Sequence, residues 1–518
     1  MTLRERIERT SDAGLWLAIA FTLFASAAWP LLVVRWPPLQ DLPNHLATEV
    51  VIAHPERYPE YAFNGFFKTN SALFAWLHFV GGAIGLRAAA KAFVALVLAA
   101  NALVLPRVVL EVGGRKRMLV ATLFAWPMVH HWFVSMGMLD YALAAAVALV
   151  MVLVAHRQAK APDAAKAALL AALGALAWYA HAFALLAGSL VVALDVLSSR
   201  ERRPRAAWVL APLAPALLLT AWSVLAQLRY RGPAAEYAWV FSPPWELGYQ
   251  AWAEFLWAYT KATLSSVVVA VVLGVIAIRN WRGATGALSP AALVVLAALY
   301  VLGPYHAANW FHVGSRLLPL LWAAALVRVP ESLPRGLAAL LGASWALYSA
   351  GLGWEYARLD AAWSRFAAGT SVVPEGASLL PLVFDDKGPS ENARNMLHAW
   401  GLYVVERETS APLVFAHSRS FPITYRELPP PQLNQIYLEG FARTMQSPDR
   451  VCGDLRRYNV APDCPRVYDE LWEEFWKVAE PRFAWLLLWG ASPDAVAHVP
   501  PSYRIVFEQD ELRVYARE

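Results

Sequence analysis

The first candidate for chemistry is a polar segment that directly follows the first long apolar run. It reads Gln40-Asp41-Leu42-Pro43-Asn44-His45 and places a carboxylate and an imidazole four positions apart. A carboxylate in such a segment can accept the proton of a hydroxyl group as a general base. Structural roles are the alternative, because Asp41 can form a turn before a proline and His45 can cap a helix.

Further ionisable side chains lie close to the ends of other apolar runs. They are Asp140, His181, His306, His312 and Arg316. Ionisable groups near a membrane core are costly and usually functional, and Arg holds phosphate through paired, charge-assisted hydrogen bonds. We therefore predict that this set binds a substrate whose leaving group is a lipid-borne phosphate. The alternative for Arg316 is contact with headgroups alone. Packing or headgroup contact is the favoured role for four others: His130, His131, Arg229 and Arg231.

No motif for nucleotide or hydrolytic chemistry accompanies these residues. The chain has no Gly-rich phosphate loop with a Walker-type Lys, no Ser nucleophile elbow and no His-Glu-x-x-His zinc helix. It has no basic stripe interleaved with aromatic residues, so nucleic acid is not expected as a partner despite the net charge of +5. Lys and Arg collect instead in short loops, as is typical of the cytoplasmic side of membrane proteins.

The composition indicates a polytopic α-helical membrane protein. Of 518 residues, 58 % are hydrophobic and only 16 % are charged, whereas soluble domains carry about 25 % charged residues. The runs 13–34, 88–110 and 139–155 each approach the roughly 20 apolar residues that a bilayer crossing requires. The first run lacks a small-residue cleavage site, so we expect a retained anchor rather than a signal peptide.

Basic loops determine the predicted topology. If all basic loops face the cytoplasm together with the N-terminus, the number of membrane spans between any two of these loops must be even. Residues 71–86 then cannot cross, and they are predicted as an interfacial or re-entrant helix within an outer loop of residues 35–87. About eleven spans remain, near residues 13–34, 88–110, 117–136, 138–156, 164–179, 181–198, 205–226, 262–279, 289–304, 313–328 and 335–353.

The chain changes character after the last predicted span. Residues 1–354 form the predicted transmembrane domain, whereas residues 355–518 are rich in charge and contain no run long enough to cross. Strands alternating with helices predict a small exported α/β domain with one mixed sheet. The predicted strands lie near residues 378–384, 412–416, 483–489, 503–506 and 512–515, and the predicted helices near 392–407 and 467–479.

Both cysteines of the chain fall in this C-terminal region. We predict a disulfide between Cys452 and Cys464, since an exported domain occupies an oxidising compartment. Closing a loop of that length stabilises the fold by roughly 3 kcal/mol in the chain-entropy model. Two unpaired thiols are the alternative, and a metal pair is disfavoured because no further Cys or His stands at ligand spacing.

The residues described so far match a known pattern. The chain resembles the GT-C class of integral-membrane glycosyltransferases, in the bacterial branch related to protein O-mannosyltransferases and aminoarabinose transferases. That class carries a catalytic Asp directly after its first helix, which Asp41 matches. Residues 67–73 stand where relatives carry a Lys-Pro-Pro-Leu-like sequence, although both prolines are missing. Residues 315–319 are similar to the late stretch with Arg and Pro that meets the lipid phosphate.

The resemblance implies a polyprenyl-phosphate sugar donor, a hydroxyl-bearing acceptor and inversion at the anomeric carbon. It assigns the general base to Asp41 and the donor phosphate to Arg316. By position alone, His45 is added as a catalytic residue, and the remaining candidates are added for substrate binding: Asp140, His181, His306 and His312. Gln40 stands where many relatives have a second acid, so a divalent metal is left open and no other cofactor is indicated. The acceptor can be a lipid, a glycan or a protein.

Location and function follow from this topology. We expect a multi-pass protein of the bacterial inner membrane, with a cytoplasmic N-terminus and a periplasmic or extracellular C-terminal domain. The alternatives are a transporter or flippase, and a non-catalytic envelope assembly protein with an exported binding domain. Transporters place ionisable residues near the midplane and show internal repeats. This chain keeps its charges near the predicted outer ends and has no internal repeat, which favours the transferase.

Overall fold

The computed structural model describes residues 9–228, 239–283, 286–307, 311–410, 412–456 and 463–518. Arg229 and Arg231, for which headgroup contact was predicted, lie outside the described residues. Seven helices in the described part are long and apolar enough to cross a membrane. They are Asp12–Leu32, Leu86–Ser135, Leu139–Lys160, Ala164–Leu197, Arg203–Ala226, Lys261–Arg279 and Arg335–Ser371.

Two of these helices, Leu86–Ser135 and Ala164–Leu197, are longer than one crossing requires and are broken by a non-helical residue. The 50 residues of Leu86–Ser135 would extend about 75 Å as one straight helix. Gly114 interrupts this helix with φ 78° and ψ 179°, a conformation that strains any residue with a Cβ atom. His181 interrupts Ala164–Leu197 with an extended backbone of φ −163° and ψ 114°. Each long helix is therefore a pair of segments.

With these breaks, the helices coincide with the eleven spans predicted from the sequence. Two shorter apolar helices, Pro290–Leu302 and Ser315–Leu326, supply the ninth and tenth segments. A third, Ala72–Ile84, corresponds to the predicted non-crossing segment and is called the interfacial helix below. The predicted fold class, a polytopic helical membrane protein with a small C-terminal sheet domain, is confirmed.

Short polar side chains begin several of the spans. Ser11, Asp163 and Ser289 each accept a hydrogen bond from a backbone N–H in the first turn of the helix that follows, at 3.0 to 3.3 Å. Such caps satisfy amide groups that would otherwise have no partner at a helix N-terminus. The apolar run and its cap together explain where these helices begin.

Small residues allow the central helices to approach each other closely. Leu139–Lys160 is the most deeply buried of the seven long helices and packs along Ala164–Leu197. A Cβ atom at Gly188 would lie 2.9 Å from the Cβ of Ala148. Contacts between small residues are a common way to pack helices in a bilayer, where apolar side chains gain nothing by leaving lipid.

The C-terminal region contains one four-stranded mixed sheet. Two further strand pairs lie outside this sheet: one joins the loop after the first span to the C-terminal region, and the other joins residues 239–240 to residues 306–307. The sheet order is β4-β6-β8-β7, with β4 parallel to β6 and the other neighbours antiparallel. A disulfide joins Cys452 and Cys464, whose Cα atoms are 5.7 Å apart. The strands are β1 (Tyr61–Phe63), β2 (Trp239–Val240), β3 (His306–Ala307), β4 (Leu379–Val383), β5 (Ile423–Tyr425), β6 (Trp485–Trp489), β7 (Tyr503–Gln509) and β8 (Leu512–Arg517). The helices of this region are Gly401–Arg407, Gln435–Thr444, Pro448–Arg456, Cys464–Ala479 and Pro493–Ala497.

The helix predicted over residues 392–407 begins only at Gly401. The residues before it bond to the loop after the first span instead of to each other. The amide of Arg394 donates to the Gln40 side chain at 2.8 Å, and the Asn395 side chain donates to the Pro38 carbonyl. Tertiary hydrogen bonds therefore replace the first two turns of the predicted helix.

The strand predicted over residues 412–416 is also wrong, because a side chain takes the place of a neighbouring strand. Asn44 accepts from the amide of Phe415 at 3.0 Å and donates to the carbonyl of Leu413 at 2.9 Å. One asparagine thus satisfies a donor and an acceptor that a sheet ladder would otherwise pair.

The loop after the first span and the C-terminal region form one packed unit. Strand β1 of the loop pairs antiparallel with β5, with Tyr61 opposite Tyr425. The loop helix Leu42–Ala53 packs on Gly401–Arg407, where a side chain at position 401 would clash with the Pro43 carbonyl. The helix Arg335–Phe366 also continues without a break through residue 354, the predicted domain boundary.

Candidate functional site

Asp41 lies in the turn that leads into Leu42–Ala53. This turn packs against a second turn, formed by Met136 and Gly137. The amide of Asp41 donates to the Met136 carbonyl at 2.9 Å. Gly137 follows with a φ of 83°, and a Cβ atom there would lie 2.9 Å from the Asp41 nitrogen. Glycine is therefore required at this position by its backbone conformation and by the close approach of the two turns.

His398, from the C-terminal region, lies between two carboxylates. Its Nδ1 is 3.1 Å from Asp41 Oδ1, and its Nε2 is 3.1 Å from Glu439 Oε1. Only 3 % of the side chain is exposed. Burial alone would lower the pKa of His398, but the two acids outweigh it and raise that pKa to about 9. The ring is therefore an imidazolium at neutral pH, and these three residues are called the triad below.

Glu439 is held from its other side by neutral polar groups. Gln435 donates from Nε2 to the Glu439 carboxylate at 2.8 Å, and its Oε1 lies 3.1 Å from His417 Nδ1. Burial would raise the pKa of Glu439, but the hydrogen bonds from His398 and Gln435 hold it below the usual value. The acid thus remains ionised, and its orientation is fixed by two donors.

Gln40 precedes Asp41 and contacts it in the structure. Its Nε2 donates to the Asp41 carboxylate at 3.3 Å, and its Oε1 accepts from the amide of Arg394 at 2.8 Å. Arg394 in turn forms an ion pair with Asp386 at 2.6 Å. An amide, which both donates and accepts, suits this bridge between the loop and the C-terminal region better than a second carboxylate would.

His45 lies one helical turn after Asp41, and its amide donates to the Asp41 carbonyl at 3.0 Å. Its ring packs between Phe74 and Phe415, with centroid distances of 5.1 and 5.6 Å. Burial lowers the pKa of His45 to about 4, so the imidazole is neutral. Its Nδ1 is buried and has no hydrogen-bond partner among the described residues.

Arg316 and His181 form a second cluster. The Nη1 of Arg316 is 3.0 Å from His181 Nε2, in the break of Ala164–Leu197. The guanidinium carbon lies 5.6 Å from the ring centre of Tyr141 and 5.9 Å from that of Phe183. The Tyr141 hydroxyl also donates to the Arg316 carbonyl. Aromatic faces and an imidazole therefore surround the cation.

No carboxylate pairs with Arg316 among the described residues. Its side chain is buried, with 7 % exposed, and the Nε atom has no hydrogen-bond partner there either. A buried cation without a counter-charge is strongly destabilising unless an anion approaches it. The cluster therefore has the properties of an anion site.

A network around Glu254 lies directly beside Arg316. The Glu254 carboxylate accepts from the Tyr305 hydroxyl at 2.5 Å and from the hydroxyl of Ser315. The Nδ1 of His312 also lies 3.2 Å from the Glu254 carboxylate. Burial would raise the pKa of Glu254, but the bonds from its three partners, His312 foremost, lower it. The network fixes the turn on which Arg316 stands.

Two predicted site residues lie outside both clusters. Asp140 accepts a hydrogen bond from the amide of Leu73 at 2.7 Å and so caps the interfacial helix. His306 belongs to the short strand β3, and its ring lies 3.9 Å from that of Phe311. His312 is close to Arg316 but bonds to Glu254 and Tyr305.

One short segment links the triad to the Arg316 cluster. Met136 bonds to Asp41, and Tyr141 contacts Arg316 through its ring and its hydroxyl. Tyr141 stands five positions after Met136, so the chain from one to the other spans at most about 18 Å. The acid predicted as general base and the Arg predicted to bind phosphate therefore border the same part of the molecule.

Asp41, Arg316 and His181 remain predicted site residues, and the sequence gives no direct indication of the residues that contact Asp41 and flank Arg316 in the structure. His398, Glu439 and Glu254 come from parts of the chain that no local spacing connects to the first loop. For His398, the one signal in the sequence is the rarity of histidine, since the chain has only 12 of them. Among the described residues, no three His, Cys, Asp or Glu side chains are arranged to hold a metal ion.

The architecture identifies a class of fold. A bundle of long apolar helices with a small mixed sheet at the C-terminus defines a polytopic α-helical membrane protein with a C-terminal sheet domain. A crystal structure of ArnT from Cupriavidus metallidurans, bound to undecaprenyl phosphate, is similar over 97 % of both chains, with 14 % sequence identity and a TM-score of 0.50. At this identity the likeness establishes the fold. No family model and no curated protein sequence matches the chain.

Proposed function

We propose that the protein is a membrane glycosyltransferase that takes a sugar from a polyprenyl-phosphate donor. The observation that supports this most is the buried Arg316, which has no carboxylate partner among the described residues. Because Arg stays protonated, an anion must compensate its charge, and a phosphate does so through paired hydrogen bonds. The ArnT structure of the same fold contains undecaprenyl phosphate, a lipid of this kind.

The proposed reaction exchanges one bond at the anomeric carbon for another. The bond between this carbon and the donor phosphate oxygen breaks, and its electron pair leaves with the polyprenyl phosphate. The acceptor hydroxyl oxygen attacks from the opposite face, so the configuration is inverted. Its proton passes to a carboxylate. Arg316 stabilises the charge that develops on the leaving phosphate, which is electrostatic catalysis by a preorganised cation.

Asp41 is the proposed general base. Its carboxylate is held by the His398 imidazolium and by Gln40, so its orientation is fixed before an acceptor binds. Side chains positioned in this way avoid a reorganisation cost during the reaction. The neutral His45 is proposed to hydrogen-bond the acceptor hydroxyl through its Nδ1 and to direct it towards Asp41. In this proposal the reaction occurs at the extracytoplasmic face of the membrane.

Binding of undecaprenyl phosphate tests the role of Arg316. Purified protein in detergent is titrated with this lipid for the wild type, Arg316→Gln, Arg316→Lys and the control Arg107→Gln, a partly exposed Arg in another span. A hydrogen bond to a charged group contributes about 1.5–3 kcal/mol, so Arg316→Gln should bind about 10- to 100-fold more weakly. The affinity of Arg316→Lys should lie between those of the wild type and Arg316→Gln, and the affinity of the control should equal that of the wild type. Equal binding by Arg316→Gln would refute the phosphate site.

Turnover tests the role of Asp41. The wild type and Asp41→Asn are reconstituted in vesicles with a panel of synthetic undecaprenyl-phosphate sugars, and release of undecaprenyl phosphate is measured. We expect Asp41→Asn to lose release while retaining lipid binding, and the surface control Glu331→Gln to retain both. Full release by Asp41→Asn would eliminate the general-base assignment. If intact sugar accumulates inside vesicles that contain no acceptor, the result would contradict the transferase proposal and favour a transporter.

A further inference from the structure

An open cleft of about 690 Å³ lies where four elements meet. It is bounded by the end of the first span, the end of the interfacial helix, the start of Leu86–Ser135 and the helix Gly401–Arg407. Its polar lining consists of three cations and one acid: Arg35, Arg87, Lys91 and Glu406. The remaining lining is apolar or aromatic and includes Trp36 and Ile84.

The cleft has an excess of positive charge. Arg35 is neutralised by Glu406, which lies 2.8 Å away. Lys91 donates only to a backbone carbonyl at 2.5 Å. Arg87 stacks on the ring of Trp36, 4.9 Å from its centre, and no carboxylate pairs with it in the described part of the chain. Within the described residues, Arg87 and Lys91 therefore have no carboxylate partner.

Apolar surface adjoins these cations. Leu32 and Val33, just before Arg35, are 85 % and 59 % exposed, and Ile84 is 53 % exposed. Side chains of this kind at the end of a span contact lipid tails, while Lys and Arg beside them reach the headgroup level. Charge and polarity together are complementary to a molecule with an anionic head and apolar chains.

We propose that this cleft binds the headgroup of an anionic phospholipid of the surrounding bilayer. Its phosphate lies between Arg87 and Lys91, where the guanidinium offers paired donors. Its acyl chains lie along the exposed Leu32, Val33 and Ile84. Such a lipid joins the first span, the interfacial helix and the C-terminal region, because all three border the cleft.

The cleft is distinct from the proposed donor site. The start of the interfacial helix is fixed near His181, where Thr69 accepts from the amide of Ala182 at 2.8 Å. The end of the same helix, Ile84, lines the cleft. The helix has 13 residues and so separates its two ends by roughly 18 Å. Binding at one site can therefore be removed without altering the other.

The test compares two lipids and three variants of the full-length protein in detergent. The protein is titrated separately with phosphatidylglycerol and with phosphatidylcholine, and binding is followed by native mass spectrometry and thermal shift. A basic residue near a membrane surface changes affinity for anionic lipid about fivefold, so Arg87→Gln together with Lys91→Gln should weaken phosphatidylglycerol binding about 25-fold. The double variant Arg87→Lys with Lys91→Arg should retain it. Lys116→Gln, an exposed lysine elsewhere, should match the wild type.

Several outcomes would overturn the proposal. Equal binding of the two lipids by the wild type would show that charge is not recognised, and this comparison needs no variant to fold. Phosphatidylglycerol binding by the double Gln variant at wild-type strength would exclude the two cations. Equal protection by inorganic phosphate alone would indicate a site for free phosphate. Undecaprenyl phosphate should bind the double Gln variant as tightly as the wild type, and a parallel loss would place both lipids in one site.

Discussion

Substitution of His398 by glutamine removes the cation that lies between Asp41 and Glu439. The size of the effect follows from the pKa of this imidazole, which rises from 6.5 to about 9 in the folded protein. At about 1.4 kcal/mol per pKa unit, the ion pairs contribute roughly 3 kcal/mol to the free energy of unfolding. Loss of one member of a buried pair also leaves the other charges uncompensated, which costs a similar amount.

The sign of the pH dependence follows from the direction of this shift. Because the folded-state pKa lies above the unfolded value, the stabilisation is complete below about pH 6.5 and is lost as the pH rises through about 9. The wild type should therefore lose roughly 3 kcal/mol over this interval through His398. His398→Gln should be less stable at pH 6.5, and its deficit should shrink towards about pH 9 and above.

Denaturation of the purified protein in detergent, repeated between about pH 6 and pH 10, measures this difference. The matched control is His498→Gln, an imidazole of the same region that pairs with Asp469 at 2.8 Å and has 25 % of its side chain exposed. The control should follow the wild-type profile. Identical pH profiles for the wild type and His398→Gln would refute the triad as a stabilising ion cluster.

Three further predictions concern the supports of the site. Gly137→Ala should lower the free energy of unfolding by about 1–3 kcal/mol, since its positive φ and its contact with Asp41 disfavour a Cβ atom. Denaturation measures this loss, and release of undecaprenyl phosphate measures whether the displaced Asp41 still acts. Asp140→Ala should cost about 0.5–2 kcal/mol by uncapping the interfacial helix, and Asp140→Asn should cost less because it retains an acceptor. Cys452→Ser should cost about 3 kcal/mol, and Cys464 should then become reactive towards maleimide without prior reduction.

The sequence predicts the helical part of this fold because bilayer thickness imposes a length on every apolar run. The parity of basic loops predicts that the helix Ala72–Ile84 does not cross the membrane, and this remains a prediction because the structure gives Pro290–Leu302, a predicted span, the same length. The errors lie in the C-terminal region, at residues 392–400 and 412–416. There the local pattern is overridden by hydrogen bonds to Gln40 and Asn44, which lie in a distant part of the chain.

The site is predictable only in part for the same reason. Asp41 and Arg316 stand at positions where the topology and the resemblance direct attention, next to the ends of spans. His398 has no such mark, because its importance comes from the two carboxylates that the tertiary fold places beside it. Glu254 is similar, since its partners Tyr305 and Ser315 are separated from it in sequence by two complete apolar helices, Lys261–Arg279 and Pro290–Leu302.

The pairing of β1 with β5 has a consequence for biosynthesis. The ribosome completes every long apolar helix of the described residues before it adds the residues that contact Asp41 and Tyr61, so the nascent chain enters the bilayer while the loop after the first span still lacks these partners. Ordering of that loop must await the final quarter of the polypeptide. A prematurely terminated product would therefore be inserted with this loop incompletely ordered.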